Sequence, residues 1–170
     1  MTDSLSTAAT DPAPREVVIR PATPEDATAI LHCLRAAFEP YRSRYTPQAW
    51  LDTVMTADAL LQRLATMTVL VANDERGNVV GTIGGAAVSP VEGHLRGMAL
   101  LPEARGHGIA QRLLDAMEKH LLAKGSLLIS LDTTEPLRRA MRFYEKNGYR
   151  RTGKVADFFG MPLIEYSRRW

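Results

Sequence analysis

Leu100-Leu101-Pro102-Glu103-Ala104-Arg105-Gly106-His107-Gly108-Ile109-Ala110 reads as the end of a strand, a short loop and the first turn of a helix. The small residues Gly106, Gly108 and Ala110 fall where the helix begins. A helix start carries unpaired backbone N–H groups and a partial positive charge. Bare glycines let an anion come close to those groups. The stretch therefore predicts a phosphate or pyrophosphate cradle from Arg105 to Gln111, with Arg105, His107 and Arg112 adding positive charge. It is not a Walker loop, because no Gly-Lys-Ser/Thr follows. It is not the dinucleotide fingerprint either: Gln111 stands where the third glycine would be, and no repeated strand–helix–strand units surround it.

Working outward, the helix after the loop runs from about Gly108 to Lys124, with Ile109, Leu113, Met117 and Leu121 on one face and Gly125 as its stop. Upstream, Val17 to Arg20 is a short strand, and Thr23-Pro24 opens a helix whose core face is Ala27, Ile30, Leu31, Leu34 and Phe38. Thr46-Pro47 opens a second helical region, broken near Thr56. Thr68–Ala72 and Val79–Val88 flank the turn Asn73 to Asn78 as a hairpin, and Gly93–Leu101 is the strand that enters the cradle. Downstream, Ser126–Leu131 reads as a buried strand and Leu137–Asn147 as a helix capped by Gly148. Arg150–Phe159 and Leu163–Trp170 read as a closing hairpin around Gly160-Met161-Pro162.

Composition narrows the rest. The chain has 170 residues, of which 45% are hydrophobic, and this suits one domain with a sizeable core. Residues 1–14, rich in Ser, Thr, Ala, Pro and Asp, read as a disordered tail, leaving 15–170 as the domain. They lack the basic start and apolar stretch of a secretory signal. A net charge of +2 implies no broad nucleic-acid or membrane footprint. No apolar run approaches a membrane span. The one cysteine, Cys33, has no internal disulfide partner and falls on the apolar side of a helix, as a core thiol in a reducing, cytoplasmic setting would. The four histidines show no metal-ligand spacing. The pairs Arg138-Arg139, Arg150-Arg151 and Arg168-Arg169 read as solvated element ends.

Two segments carry a family resemblance. Leu100-x-Pro102 followed by Arg105-x-x-Gly108-x-Ala110 resembles the acyl-CoA loop of the GCN5-related N-acetyltransferases, the GNAT superfamily. Ala140-Met-Arg-Phe-Tyr144-Glu-Lys-Asn-Gly148-Tyr149 resembles that superfamily's Ala-x-x-x-Tyr-x-x-x-Gly-Phe segment. The two stand in the expected order, one helix and one strand apart. The resemblance covers about residues 16 to 170. It implies a mixed α/β fold with a mostly antiparallel central sheet flanked by helices, and acetyl-CoA as acyl donor without a metal.

It also implies roles. The coenzyme pyrophosphate would rest on the backbone of Arg105, Gly106, His107, Gly108, Ile109, Ala110 and Gln111. The pantetheine arm would pair with the strand end Met98-Ala99-Leu100. Tyr144 matches the tyrosine that protonates the coenzyme thiolate in many members. His94 stands eight residues before Pro102, where histone-type members place a glutamate base. A histidine suits that work near neutral pH, while Glu92, on the same strand face, and water remain alternatives. Leu137 replaces an asparagine that touches the coenzyme in many relatives. The acceptor pocket is expected among Tyr41, Tyr45, Trp50, Phe158 and Phe159.

The function implied is acyl-CoA-dependent N-acetyl transfer to a primary amine of a small molecule or peptide, in a chain that pairs as a homodimer in many relatives. A non-catalytic acyl-CoA sensor of the same fold, and a phosphate-binding domain outside the superfamily, are the competing readings.

Overall fold

A computed structural model describes residues 15–170, so the tail expected over 1–14 lies outside the described residues. Seven strands form one sheet in the order β1-β2-β3-β4-β5-β7-β6. They are β1 (Val18–Pro21), β2 (Thr68–Asn73), β3 (Val79–Ala87), β4 (Glu92–Leu100), β5 (Leu128–Thr134), β6 (Arg150–Phe158) and β7 (Met161–Arg169). All neighbours run antiparallel except β4 and β5. The helices are α1 (Ala27–Phe38), α2 (Pro47–Thr53), α3 (Ala57–Thr66), α4 (Ile109–Ala123) and α5 (Arg138–Lys146).

Local chemistry explains most boundaries. The β2–β3 turn closes because the Asp74 carboxylate accepts from the backbone N–H groups of Arg76 and Asn78, each at 2.9 Å. Before α1, the Asp26 carboxylate accepts from the Thr23 backbone N–H at 2.8 Å and from both terminal nitrogens of Arg20 at 2.7 and 2.8 Å. That fork holds the Asp26 carboxyl at about 2, below its ordinary value. The opening turn Pro24–Asp26 is a 3-10 turn, and α1 starts at Ala27. Thr46 and Thr56 each cap a helix, accepting from the N–H three residues on at 3.3 Å. The expected break near Thr56 is thus the start of α3.

Two expectations shift. The closing hairpin turns at Phe159-Gly160, with φ of 50° and 87°, and Met161 and Pro162 already belong to β7. Two residues of positive φ match the right-handed twist of the strands. β5 starts two residues later than expected and runs on to Thr134, because β7 pairs with it as far as Leu163 opposite Thr134. A 3-10 stretch, Glu39–Arg44, continues α1.

The core lies between the sheet and its helices. From α4, Ile109, Leu113, Leu114, Met117 and Leu121 are all buried, each worth about 1.5–3 kcal/mol relative to exposure. Gly85 of β3 lets α4 approach: a Cβ there would stand 2.7 Å from the Met117 sulfur. α1 buries Ile30, Cys33, Leu34 and Ala37, so the core face centres on Cys33 rather than on the half-buried Leu31 and Phe38. Burial pushes the Cys33 thiol up to about 12, which marks it as a packed, unreactive group.

Candidate functional site

β4 and β5 pair in parallel only from Glu92 with Leu128 to Leu95 with Leu131. Beyond that point each strand runs on without the other, β4 to Leu100 and β5 to Thr134. β4 also bulges: Arg96 faces Gly84 and Ala99 faces Thr82, so two β4 residues, Gly97 and Met98, oppose the single Ile83. The edge of β4 facing β5 past Leu95 therefore has no strand partner. Two cavities open here and share Phe38, Met98 and Leu137.

The larger cavity, about 590 Å³, runs from Met98-Ala99-Leu100 to the start of α4. Gly106 and Gly108 have φ of 79° and 75°, a region that penalises any residue with a Cβ. A Cβ at either would meet nothing within 4 Å, so the space beside them is open. Gly108 caps α4, whose first turn carries no acidic side chain. The N–H groups of Ile109, Ala110 and Gln111 thus start the helix unpaired and face an open cavity. Arg105, Arg139 and Lys146 line that cavity, and no carboxylate is among its described lining residues. The Arg105 guanidinium is steadied by the Ala37 carbonyl at 3.5 Å. The Gln111 side chain is occupied elsewhere, donating to Asp115 and Asn147 at 2.8 and 2.7 Å. The donor that remains at Gln111 for an anion is its backbone N–H.

Tyr144 lines the same cavity, its hydroxyl donating to the Met98 sulfur at 3.3 Å. Burial raises its pKa far above the ordinary phenol range, so the group stays protonated at working pH. Thr133 contributes a buried hydroxyl with no hydrogen-bond partner among the described residues, beside a cavity it lines. A buried polar group left unpaired is costly, so this hydroxyl fits a polar ligand group in the cavity. The cation-only lining, the open N-terminus of α4 and this orphan together suit a polyanion with a polar arm.

The smaller cavity, about 340 Å³, has mixed charge: Asp52, Arg63, His94, Arg96 and Asp132 line it with Tyr45, Phe158 and other apolar groups. Here β4 and β5 align His94 with Ser130. The Ser130 hydroxyl donates to Glu92 at 2.7 Å, and His94 Nδ1 lies 2.9 Å from Ser130 Oγ. With its one proton committed to the carboxylate, Ser130 accepts from Nδ1–H. The neutral imidazole is thereby held with its lone pair on Nε2. Nε2 lies 3.4 Å from Asp132.

The expected site residues thus divide between two cavities. Met98, Ala99, Leu100, Arg105, Gly106, Gly108, Ile109, Ala110, Gln111 and Tyr144 line the larger one, and His94 the smaller. His107 lies in the loop but lines neither cavity, and neither does the exposed Arg112. Glu92 supports His94 through Ser130 rather than lining the cavity itself. Of the expected aromatic lining, Tyr45 and Phe158 face the smaller cavity and Tyr41 the larger. Trp50 instead packs edge-on against Tyr45, and Phe159 is exposed at the hairpin turn. Sequence reasoning missed Arg139 and Lys146, although with Phe143 they repeat at helical spacing along α5. It also missed Asp52, Arg63, Arg96, Ser130 and Asp132. Alternation along Leu128-Ile-Ser130-Leu-Asp132 marked the last two as a polar face, but nothing local showed that this face meets His94.

Among the described residues no group of three or more His, Cys, Asp and Glu is placed to hold a metal ion, and no helix is long and apolar enough to cross a membrane.

Comparison with known proteins bears on this geometry. The sequence profile of the acetyltransferase (GNAT) family matches residues 29–149. The PaiA N-acetyltransferase of Thermoplasma acidophilum, solved in complex with coenzyme A, superposes with a TM-score of 0.75 at 22% identity, covering 91% of this chain and 99% of that one. Ard1 of Thermoplasma volcanium gives 0.72 at 20% identity, over 90% and 97% of the two chains. The ribosomal-protein-alanine N-acetyltransferase of Brucella melitensis gives 0.69 at 21%, over 90% and 99%.

Proposed function

The chain belongs to the GNAT acetyltransferase family, and we propose that it transfers the acetyl group of acetyl-CoA to a primary amine of a small molecule or peptide. One observation carries this reading. The cation-lined cavity at the start of α4 meets the cavity of His94 at Met98 and Leu137, so an anionic donor and an amine acceptor can approach each other there.

Acetyl-CoA supplies an activated acyl group, and the protein's residues supply the rest. The backbone of Gly106 to Gln111, with Arg105, Arg139 and Lys146, holds the phosphates. The free edge of β4 from Met98 to Leu100 offers backbone groups to the pantetheine amides, and Thr133 offers a hydroxyl. His94 Nε2 takes a proton from the acceptor ammonium, with Asp132 beside it to stabilise the imidazolium. The freed amine lone pair attacks the thioester carbonyl; a C–N bond forms as the C–S bond breaks. Tyr144 gives its phenolic proton to the departing sulfur; the new amide nitrogen sheds its second proton to solvent as the phenolate is reprotonated from solvent, and His94 releases its proton there in turn.

Leu137 leaves no side-chain amide at the junction of the cavities, so positioning there falls to the backbone and to shape. The test is an acetyl-CoA turnover screen across amine classes, read as free-thiol release. Release that depends on the amine supports the reading. Acetyl-CoA binding without release from any amine returns the sensor reading.

A further inference from the structure

The smaller cavity contains a charge that the chemistry above leaves unused. Arg63 reaches in from α3, half-buried, and its guanidinium makes no hydrogen bond or ion pair among the described residues. The nearby carboxylate of Asp52 pairs with Arg96 instead, at 3.3 Å. The two arginines and one aspartate leave this group of side chains with a surplus positive charge. Arg63, Arg96 and Asp52 also line an adjoining recess of about 240 Å³ that excludes His94 and Asp132, so the basic group marks one end of the cavity. Asp132, beside His94, supplies the negative charge away from that end. The placement of Arg63 depends on the β4 bulge. At Gly97, with φ of 64°, a Cβ would stand only 2.7 Å from Arg63 Nη1, so the bare glycine leaves room for the guanidinium. Desolvation and the neighbouring Arg96 pull the Arg63 pKa down to about 10, which still leaves it charged near neutrality. A half-buried, unpaired guanidinium is a fork waiting for a planar anion.

We propose that the acceptor is an aminocarboxylate with an apolar body: its carboxylate sits on the Arg63 guanidinium, its ammonium faces His94 and Asp132, and its body lies against Phe38, Tyr45 and Phe158. The proposal rests on the acyl-transfer reading above and names its acceptor. A zwitterion matches a cavity that carries both signs, and the aromatic groups that line it suit a side chain such as that of leucine, methionine or phenylalanine.

The test compares acid and amide. Leucine, methionine and phenylalanine are assayed against leucinamide, methioninamide and phenylalaninamide, with polyamines and short peptides in the same acetyl-CoA screen. The intact protein should favour each acid over its amide by roughly tenfold or more in kcat/KM, the range of a charge-assisted hydrogen bond gained or lost. R63Q should bring acid and amide level, mainly through KM of the acid. R63K, which keeps the charge but not the fork, should fall between. Acetyl-CoA affinity, set in the other cavity, reports whether each variant is folded. Equal or better use of the amides by the intact protein overturns the proposal without any variant, as does an undiminished acid preference in a folded R63Q. Turnover of polyamines or peptides but not of the acids leaves acetyl transfer standing and removes the aminocarboxylate. No thiol release from any amine removes both.

Discussion

The two cavities differ in how they are built. The proposed phosphate cradle is largely local: two left-handed glycines, Arg105 and the first turn of α4 come from one continuous stretch, to which α5 adds Arg139 and Lys146. The proposed acceptor cavity is assembled from α1, α2, α3, β4, β5, β6 and β7, and its polar groups lie on side chains more than 30 residues apart, such as His94 and Ser130. The charged residues that line the first cavity are all cations, whereas the second carries both signs. A binding mode used with one donor can be written into a short backbone pattern. A pocket that chooses among acceptors needs side chains that the fold brings together.

The largest expected effect lies in the cradle. Gly108→Val forces a β-branched residue to φ near 75°, a strain of about 1–2 kcal/mol. It also places methyl groups in the open space beside the α4 N–H groups. Because a Cβ there meets no protein atom within 4 Å, the packing of α4 is untouched. Losing two or more charge-assisted backbone contacts should weaken acetyl-CoA binding by roughly a hundredfold. Calorimetry at parental affinity would show that the phosphates lie elsewhere.

Next is His94→Ala. If His94 is the base, turnover should fall by roughly a hundredfold, the common range for a positioned acid–base group. Acetyl-CoA affinity should hold within a factor of about two, since its charge-assisted contacts belong to the cradle. This separation of kcat from donor binding is what two distinct cavities predict. If donor affinity falls as far as turnover does, the cavities are coupled and the contrast between them fails.

Legibility in the sequence follows the same division. The strand–loop–helix start and the Tyr144 helix were readable because small residues, caps and apolar faces act within a turn or two of themselves. The parallel register that sets His94 opposite Ser130, and so brings Asp132 to Nε2, was not. It depends on which strands pair, information that alternation does not contain. Arg63 was unreadable for the same reason. On α3 it looks like any solvated arginine, and only the bulge at Gly97 turns it into a cavity residue. The turn at Phe159-Gly160 was misplaced because the proline that follows is the stronger breaker by type, yet as the second residue of β7 it is compatible with the strand.

Tyr144→Phe tests where the cavities meet. The ring keeps its edge-on contacts with Phe143 and Tyr149, so stability should change by less than about 1.5 kcal/mol. Turnover should drop by more than roughly tenfold, toward the hundredfold usual for a general acid, if the hydroxyl protonates the thiolate. The sign of the pH effect follows from burial. A phenol raised well above its ordinary value stays protonated across the assay range, so the substitution should lower the whole pH–rate curve without moving its limbs. A limb that moves, or a rate that does not fall when chemistry limits turnover, would return Tyr144 to a packing role.

The smallest expected effect belongs to Ser130→Ala, which tests how the acceptor cavity is tuned. Ser130 is buried and touches no expected substrate atom; it is a positioning residue between Glu92 and His94. Its removal leaves Nδ1 without its acceptor, so the imidazole can place its proton on either nitrogen. The share of rings with a free Nε2 lone pair then falls, and kcat should drop by roughly tenfold, at the low end for loss of an orienting partner. KM for acetyl-CoA should hold, because no cradle atom moves. Nitrogen chemical shifts of the His94 ring separate this from a merely structural change: the parent should show the Nδ1–H form, and Ser130→Ala a mixture. Ser130→Thr, which restores the hydroxyl with a β-branched side chain suited to a strand, should recover the Nδ1–H signature and part of the rate. A ring that keeps the Nδ1–H form in Ser130→Ala, with kcat unchanged, would mean that neither Ser130 nor Glu92 sets the tautomer of His94.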